Sequence, residues 1–216
     1  MQLNKQKEFW LSNFSKGYLQ RNLFTPKQLD KSYMQKYGIS RTQMTTNFLG
    51  NLKKDMMVLE VGCNFGGQLL LLRKLGFKNL YGVEINPEIV ELSRKRANFV
   101  NIIVGDVLNI PFKDASFDLV FTSGLLIHVS PKNIEKAISE IYRVSKKYIW
   151  CFEYFSETYT EIEYRGHKGV LWKTNFSNIF LKKFKELKLI KFKEFPYVND
   201  GKQNQNIDVM FLLKKR

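Results

Sequence analysis

The chain predicts an α/β fold: a mostly parallel, doubly wound sheet with an antiparallel hairpin at one edge and a helical segment in front. Three observations point to it. From Met56 onward, short apolar runs alternate with stretches of helical periodicity, the pattern of strands joined by crossover helices. The first run leads into "LEVGCNFGGQLL", a glycine-containing turn between a strand and a helix. The last two runs, "KLIKFKEFPYV" and "NIDVMFLLKK", are separated by a turn-length stretch, so they pair antiparallel; a parallel pair needs a longer crossover.

The elements follow in order. Residues 1–50 read as a helical cap: "KQKEFWLSNFSKGYLQRN", then "TPKQLDKSYMQKYG", then a third helix to Leu49. Thr25-Pro26 is a helix start, with proline in the first turn where no N–H is needed. Residues 51–216 read as the sheet domain. "MMVLEV" is a strand, and "GGQLLLLRKLG" a helix stopping at Gly76. "NLYGVEI" is a strand, and "NPEIVELSRKRA" a helix capped by Asn86 with Pro87 inside it. "VNIIVGDV" and "FDLVFTSG" are strands, "SPKNIEKAISEIYRV" a helix opened at Ser130-Pro131, and "KKYIWCFEYF" a strand. "NFSNIFLKKFKEL" is an amphipathic helix before the closing hairpin.

A length of 216 residues suits one domain with a small appendage and a sizeable core. No apolar run approaches the roughly 20 residues of a membrane helix, and "MQLNKQKEFWLSNF" lacks a signal-peptide core. Cys63 and Cys151 form no disulfide framework, so two reduced thiols in a cytoplasmic protein are expected. The net charge of +15 raises a nucleic-acid role. The excess is mostly dispersed lysine, with asparagine also abundant, which fits a compositional bias plus an anionic small substrate. No metal is expected, and the assembly is expected to be a monomer or homodimer.

In open α/β sheets, ligands lie beyond the carboxyl ends of the strands. There Gly62, Gly66 and Gly67 permit tight turns and close backbone approach. Their spacing is neither the dinucleotide G-x-G-x-x-G nor a phosphate-binding loop with Gly-Lys-Ser/Thr. Glu84 ends the second strand, where a carboxylate accepts both hydroxyls of a ribose. Asp106 ends the third, within reach of an adenine amine. These acids disfavour a pyrophosphate and suit a cationic sulfonium.

This set resembles the class I S-adenosylmethionine-dependent methyltransferases: Glu60 before the glycine loop, Glu84 after the second strand, Asp106 after the third, and "FDLVFTSGLLIHVSP" as fourth strand and loop. The resemblance spans about residues 50–215 and implies a Rossmann-like, seven-stranded sheet. It implies that Gly62, Asn64 and Gly66 wrap the cofactor. Glu84, with Ile85 beside it, would hold the ribose, Asp106 and Val107 the adenine, and Ser123 the methionine side. Asn64-Phe65 departs from the pattern, where many members carry a further glycine. "EFWLSNFSKGYLQRN", "LLIHVSP", "YRGHKGVLWKTNF" and "FLLKK" are further similar to methylases encoded with pseudaminic acid biosynthesis, small bacterial enzymes associated with nonulosonic acid sugars. That implies methyl transfer to a small anionic sugar, free or nucleotide-linked, at O or N. The alternatives are an RNA or protein methyltransferase, or a non-catalytic binding protein that keeps the fold.

A hydroxyl acceptor needs a base near its proton. His128, after the fourth strand, and Glu153, near the end of the fifth, are the candidates. Tyr154 adjoins Glu153 on the substrate side. Tyr18 and Arg21 share a helix face at i, i+3, where Arg21 would hold the cofactor's carboxylate or an acidic substrate. Phe9, Trp10 and Phe14 are expected as packing. The segment "EYRGHKGVLWK" follows the fifth strand on the acceptor side, so Tyr164, Arg165, His167 and Lys173 are expected to bind the substrate's anionic group.

Overall fold

The computed structural model describes residues 5–96, 100–198 and 206–216. Four short helices come first: α1 (Lys5–Leu11), α2 (Asn13–Asn22), α3 (Pro26–Tyr37) and α4 (Arg41–Leu49). The expected first helix is broken at Ser12. Its hydroxyl donates to the Phe9 carbonyl at 2.7 Å and accepts from the Phe14 N–H at 3.2 Å, so a side chain replaces the helical ladder there. Thr25 starts α3 as expected, in a capping box with Gln28.

Then follow β1 (Met57–Val61), α5 (Gly67–Lys74), β2 (Asn79–Glu84), α6 (Pro87–Arg96), β3 (Asn101–Val104) and β4 (Phe117–Ser123). Next come α7 (Ile134–Val144), β5 (Ser145–Tyr154), β6 (Thr160–Glu161), β7 (Trp172–Lys173), α8 (Phe176–Lys183), β8 (Leu187–Pro196) and β9 (Ile207–Lys215). Asn86 caps α6 through its side-chain oxygen, which accepts from the Glu88 N–H at 3.0 Å. The expected end of that helix at Ala97 lies outside the described residues. The start of α7 is three residues later than Ser130-Pro131 predicts, because residues 131–133 form a turn on the Ser130 carbonyl.

The sheet has seven strands in the order β3-β2-β1-β4-β5-β9-β8. Neighbours are parallel from β3 to β5, and β9 is antiparallel to both β5 and β8. The direction of winding reverses between β1 and β4, which opens a crevice at their carboxyl ends. One face of the sheet packs α7 and α8. Ile134, Ile138, Ile141 and Val144 of α7 bury at helical spacing against Val120, Ile149 and Phe211. Each such side chain contributes about 1.5–3 kcal/mol of burial. The other face packs α4 and α5, with Met44, Phe48, Leu69 and Leu72 against Val58, Leu119 and Trp150. Cys63 and Cys151 are both buried free thiols. Among the described residues, no helix is long and apolar enough to cross a membrane.

Candidate active site

Five strand ends and the helical cap enclose a cavity of about 360 Å3. Its floor is the turn after β1. Gly62 has φ +72°, and a Cβ there would stand 2.6 Å from a Leu125 methyl, so only glycine lets the two turns meet. Asn64 also takes a left-handed φ of 48°, held by its side-chain oxygen on the Phe65 N–H at 2.7 Å. Gly66 is the left-handed N-cap of α5 and shapes the loop from outside the cavity, whereas Gly67 lines it.

Glu84 stands across from this loop. Its carboxylate accepts from the Asn64 N–H at 3.0 Å and the Asn86 N–H at 2.9 Å. Burial pushes its pKa up, and the backbone donors of Asn86, Asn64 and Ile85 oppose that. Ile85, Asp106, Val107 and Ser123 line the same cavity. Asp106 accepts from the Leu108 N–H at 2.9 Å and pairs with Lys7 of the cap at 3.4 Å.

Glu60 lines the cavity with one oxygen that has no partner. Burial pushes its pKa well up, against the nearby charge of Arg41. Arg41 is 0 % exposed. It donates to Gln68 at 3.0 Å and to Ser123 at 3.2 Å, lies 4.5 Å from the Phe152 ring centre, and keeps one nitrogen unpartnered.

His128 closes a 3₁₀ turn, Leu126–His128, and is 7 % exposed. Its Nδ1 lies 2.8 Å from the Val170 carbonyl. A carbonyl only accepts, so Nδ1 carries the proton and Nε2 is the unprotonated nitrogen. Burial lowers its pKa to about 4, so the ring is neutral at neutral pH. Trp10 sits edge-on to it at 4.7 Å and Tyr164 tilts against it at 5.5 Å.

Glu153 is 0 % exposed and does not line the cavity. Its oxygens accept from Thr122 Oγ1 at 2.7 Å and from the Leu125 and Ile127 N–H groups at 3.2 and 3.4 Å. It clamps the turn that carries His128 from behind the cavity wall, off the cavity where its place on β5 led it to be expected. Burial pushes it up to about 7.

The segment 163–173 divides. Tyr164 and His167 exchange backbone hydrogen bonds at 2.8 and 3.0 Å around Arg165 (φ 53°) and Gly166 (φ 81°). Two positive φ values make a tight primed turn. Tyr164 lines the cavity, while Arg165 and His167 remain exposed outside it. The His167 ring packs 5.1 Å from Phe9, and Lys5 and Gln6 of α1 donate to the Lys168 and Gly169 carbonyls. Lys173 bonds Asn206, 5.9 Å from the Tyr154 ring, and also lies off the cavity wall.

On α2, Tyr18 lines the cavity but Arg21 turns to the Phe14 ring at 5.7 Å. Trp10, expected as packing, lines the cavity too. So do Tyr33, Lys36 and Tyr37 of α3, Tyr154 of β5 and Asp208 of β9. Asp208 accepts from Tyr37, from Tyr197 at 3.0 Å and from Lys36 at 3.5 Å. No motif in the sequence signals Arg41, Lys36 or Asp208, which gain meaning only through long-range packing.

These groups fit a nucleoside joined to an amino acid: a buried carboxylate for a diol, an acid at the next strand end, and Glu60 on the wall with one unpartnered oxygen. Residues 59–151 match the family model described as a methyltransferase domain. Norajmaline N-methyltransferase of Rauvolfia serpentina is 36% identical over 99 residues, which are 43% of this chain and 33% of that relative. The chain thus spans about a third of the length of the alkaloid N-methyltransferases it matches. Phosphoethanolamine N-methyltransferase of Plasmodium falciparum is 22% identical over 79% of this chain and 74% of its own length. The structure of magnesium protoporphyrin IX methyltransferase from Synechocystis PCC 6803, with bound SAH, superposes with a TM-score of 0.68 at 14% identity, over 97% of this chain and 98% of that one. The match over residues 59–151 and the fold shared with a methyltransferase that binds SAH support an S-adenosylmethionine-dependent methyltransferase.

Proposed function

We propose that the protein methylates a hydroxyl of a small, acidic sugar of the nonulosonic type, free or nucleotide-linked. Bound in the cavity, S-adenosylmethionine supplies a methyl group made electrophilic by its sulfonium. Glu84 holds the ribose diol, and Asp106 and Val107 flank the adenine. Glu60 on the cavity wall answers the ammonium of the methionine end, which removes the cost of its unpartnered buried oxygen, about 1–3 kcal/mol, while Arg41 behind the wall orients Ser123 and Gln68, which line it. His128 takes the acceptor's proton at Nε2. Glu153 fixes the turn so that this nitrogen is held in place, and an aligned acceptor is most of what the transfer needs.

The observation that carries the reading is the tautomer of His128 inside an enclosed, hydroxyl-rich cavity. Among the described residues, Tyr18, Tyr33, Tyr154 and Tyr164 line that cavity with hydroxyls that make no hydrogen bond to the protein. Tyrosine faces and hydroxyls suit a polyol. Lys36 on the same wall suits an acid. Lys7 and Lys36 are the lysines of the lining among the described residues, so the charge of +15 resides elsewhere and lends little to a nucleic-acid acceptor in this cavity.

Two variants test the assignment by splitting affinity from turnover. Glu84→Ala should weaken S-adenosylhomocysteine at least about tenfold in calorimetry, as expected for a lost charge-assisted bond. His128→Asn should keep that affinity and lose about 100- to 10,000-fold in methyl transfer to an acidic sugar panel. Unchanged affinity in folded Glu84→Ala removes the cofactor assignment; full turnover in His128→Asn removes the base.

A further inference from the structure

The edge strand β8 carries a surface that the pocket does not use. It ends the sheet, and its residues 188–194 are all exposed. Leu189 is 43% exposed, Ile190 45% and Phe192 38%. Ile190 is the extra residue of a bulge between Leu189 and Lys191, so it stands outside the ladder. Residues 182–193 hold six lysines and one acid, Glu186. Of these, Lys182, Lys185, Lys188 and Lys193 are exposed and form no ion pair among the described residues. Lys188 directly faces Lys214 on β9, also exposed. Like charges placed opposite each other on a sheet are destabilising unless an external anion offsets them.

We infer that this edge docks the protein on an anionic lipid bilayer. Lysines meet the headgroups, and Leu189, Ile190 and Phe192 enter the interface between headgroup and acyl chain. The charges disfavour a second copy as the occupant, because edge-to-edge pairing would bring two rows of lysine together. The patch disfavours RNA, because two of its three apolar side chains, Leu189 and Ile190, offer no stacking face to a base and Phe192 is its one ring. The C-terminal end of the docked strand reaches toward the pocket, since Phe195 pairs with Asp208 and Tyr197, just beyond β8, bonds it on the cavity wall.

The test is co-sedimentation of the full chain with vesicles of phosphatidylcholine alone or mixed with phosphatidylglycerol, alongside light scattering and a single-stranded RNA control. The wild type should sediment with the mixed vesicles and not with phosphatidylcholine alone. Lys188→Gln and Lys193→Gln should each weaken binding about fivefold. Leu189→Ser with Ile190→Ser and Phe192→Ser should lose at least about tenfold while keeping affinity for S-adenosylhomocysteine. If that triple variant fails to fold, Ile190→Ser alone serves, because the bulge side chain is outside the ladder. No binding to mixed vesicles overturns the inference. So does binding indifferent to the apolar changes, a dimer that the lysine changes strengthen, or RNA binding in place of vesicle binding.

Discussion

Glu153 illustrates how one residue's role is decided by its surroundings. Its place near the end of β5 is where this fold keeps its chemistry, and a carboxylate there reads as a base. Buried beneath the 3₁₀ turn, it spends its oxygens on Thr122 and two backbone N–H groups. Its pKa rises from 4.5 to about 7 on folding, so the folded state binds the proton more tightly than the unfolded chain. Its contribution to stability is therefore full below about pH 4.5 and is lost as pH rises through about 7. Glu153→Gln removes this titration. Denaturant unfolding of both proteins should show wild-type stability falling relative to the variant across that window, by an amount on the order of 3 kcal/mol. Parallel curves would mean that Glu153 does not titrate there. His128 behaves in the opposite direction: lowered to about 4, it stays a neutral base throughout that window.

At the scale of elements, Asn86 joins the Glu84 side of the pocket to the cap. Its backbone N–H serves Glu84, and its amide nitrogen donates to Ser15 at 2.8 Å and to the Trp10 carbonyl at 3.2 Å. As the cap of α6 it was legible in "NPEIVEL"; its grip on α1 and α2 was not, because 71 residues separate Asn86 from Ser15. Asn86→Ala should cost about 1–2 kcal/mol through the lost cap. Amide exchange in residues 9–18 should quicken at least tenfold while β1 and β4 keep their protection. Equal quickening of the strands would indicate global destabilisation and no specific tie.

At the scale of the whole molecule, the loop around Arg165 lies on the outer side of the cap. Arg165→Ala should therefore leave both the affinity for S-adenosylhomocysteine and the acceptor KM within about twofold of wild type, a change of under about 0.5 kcal/mol typical of surface sites. A large rise in the acceptor KM alone would return that loop to the acceptor site. Gly62, Glu84 and Asp106 could be read from the chain because each sits at or just beyond a strand end, and strand ends are set by local apolar runs. Of the residues expected together at the substrate, Tyr164 lines the cavity and Arg165 and His167 do not, because the direction of a side chain in a tight turn depends on φ and not on spacing. The sequence by itself determined the alternating elements, the antiparallel hairpin, the glycine turn and the acids beside it, all properties of neighbouring residues. Only the tertiary structure decided that Lys36 and Asp208 face one cavity, that Trp10 lines it, and that Arg41 and Glu153 are buried behind its wall. Those facts depend on how α3, α4 and β9 pack across more than a hundred residues of chain, where burial and hydrogen bonding outweigh any local preference.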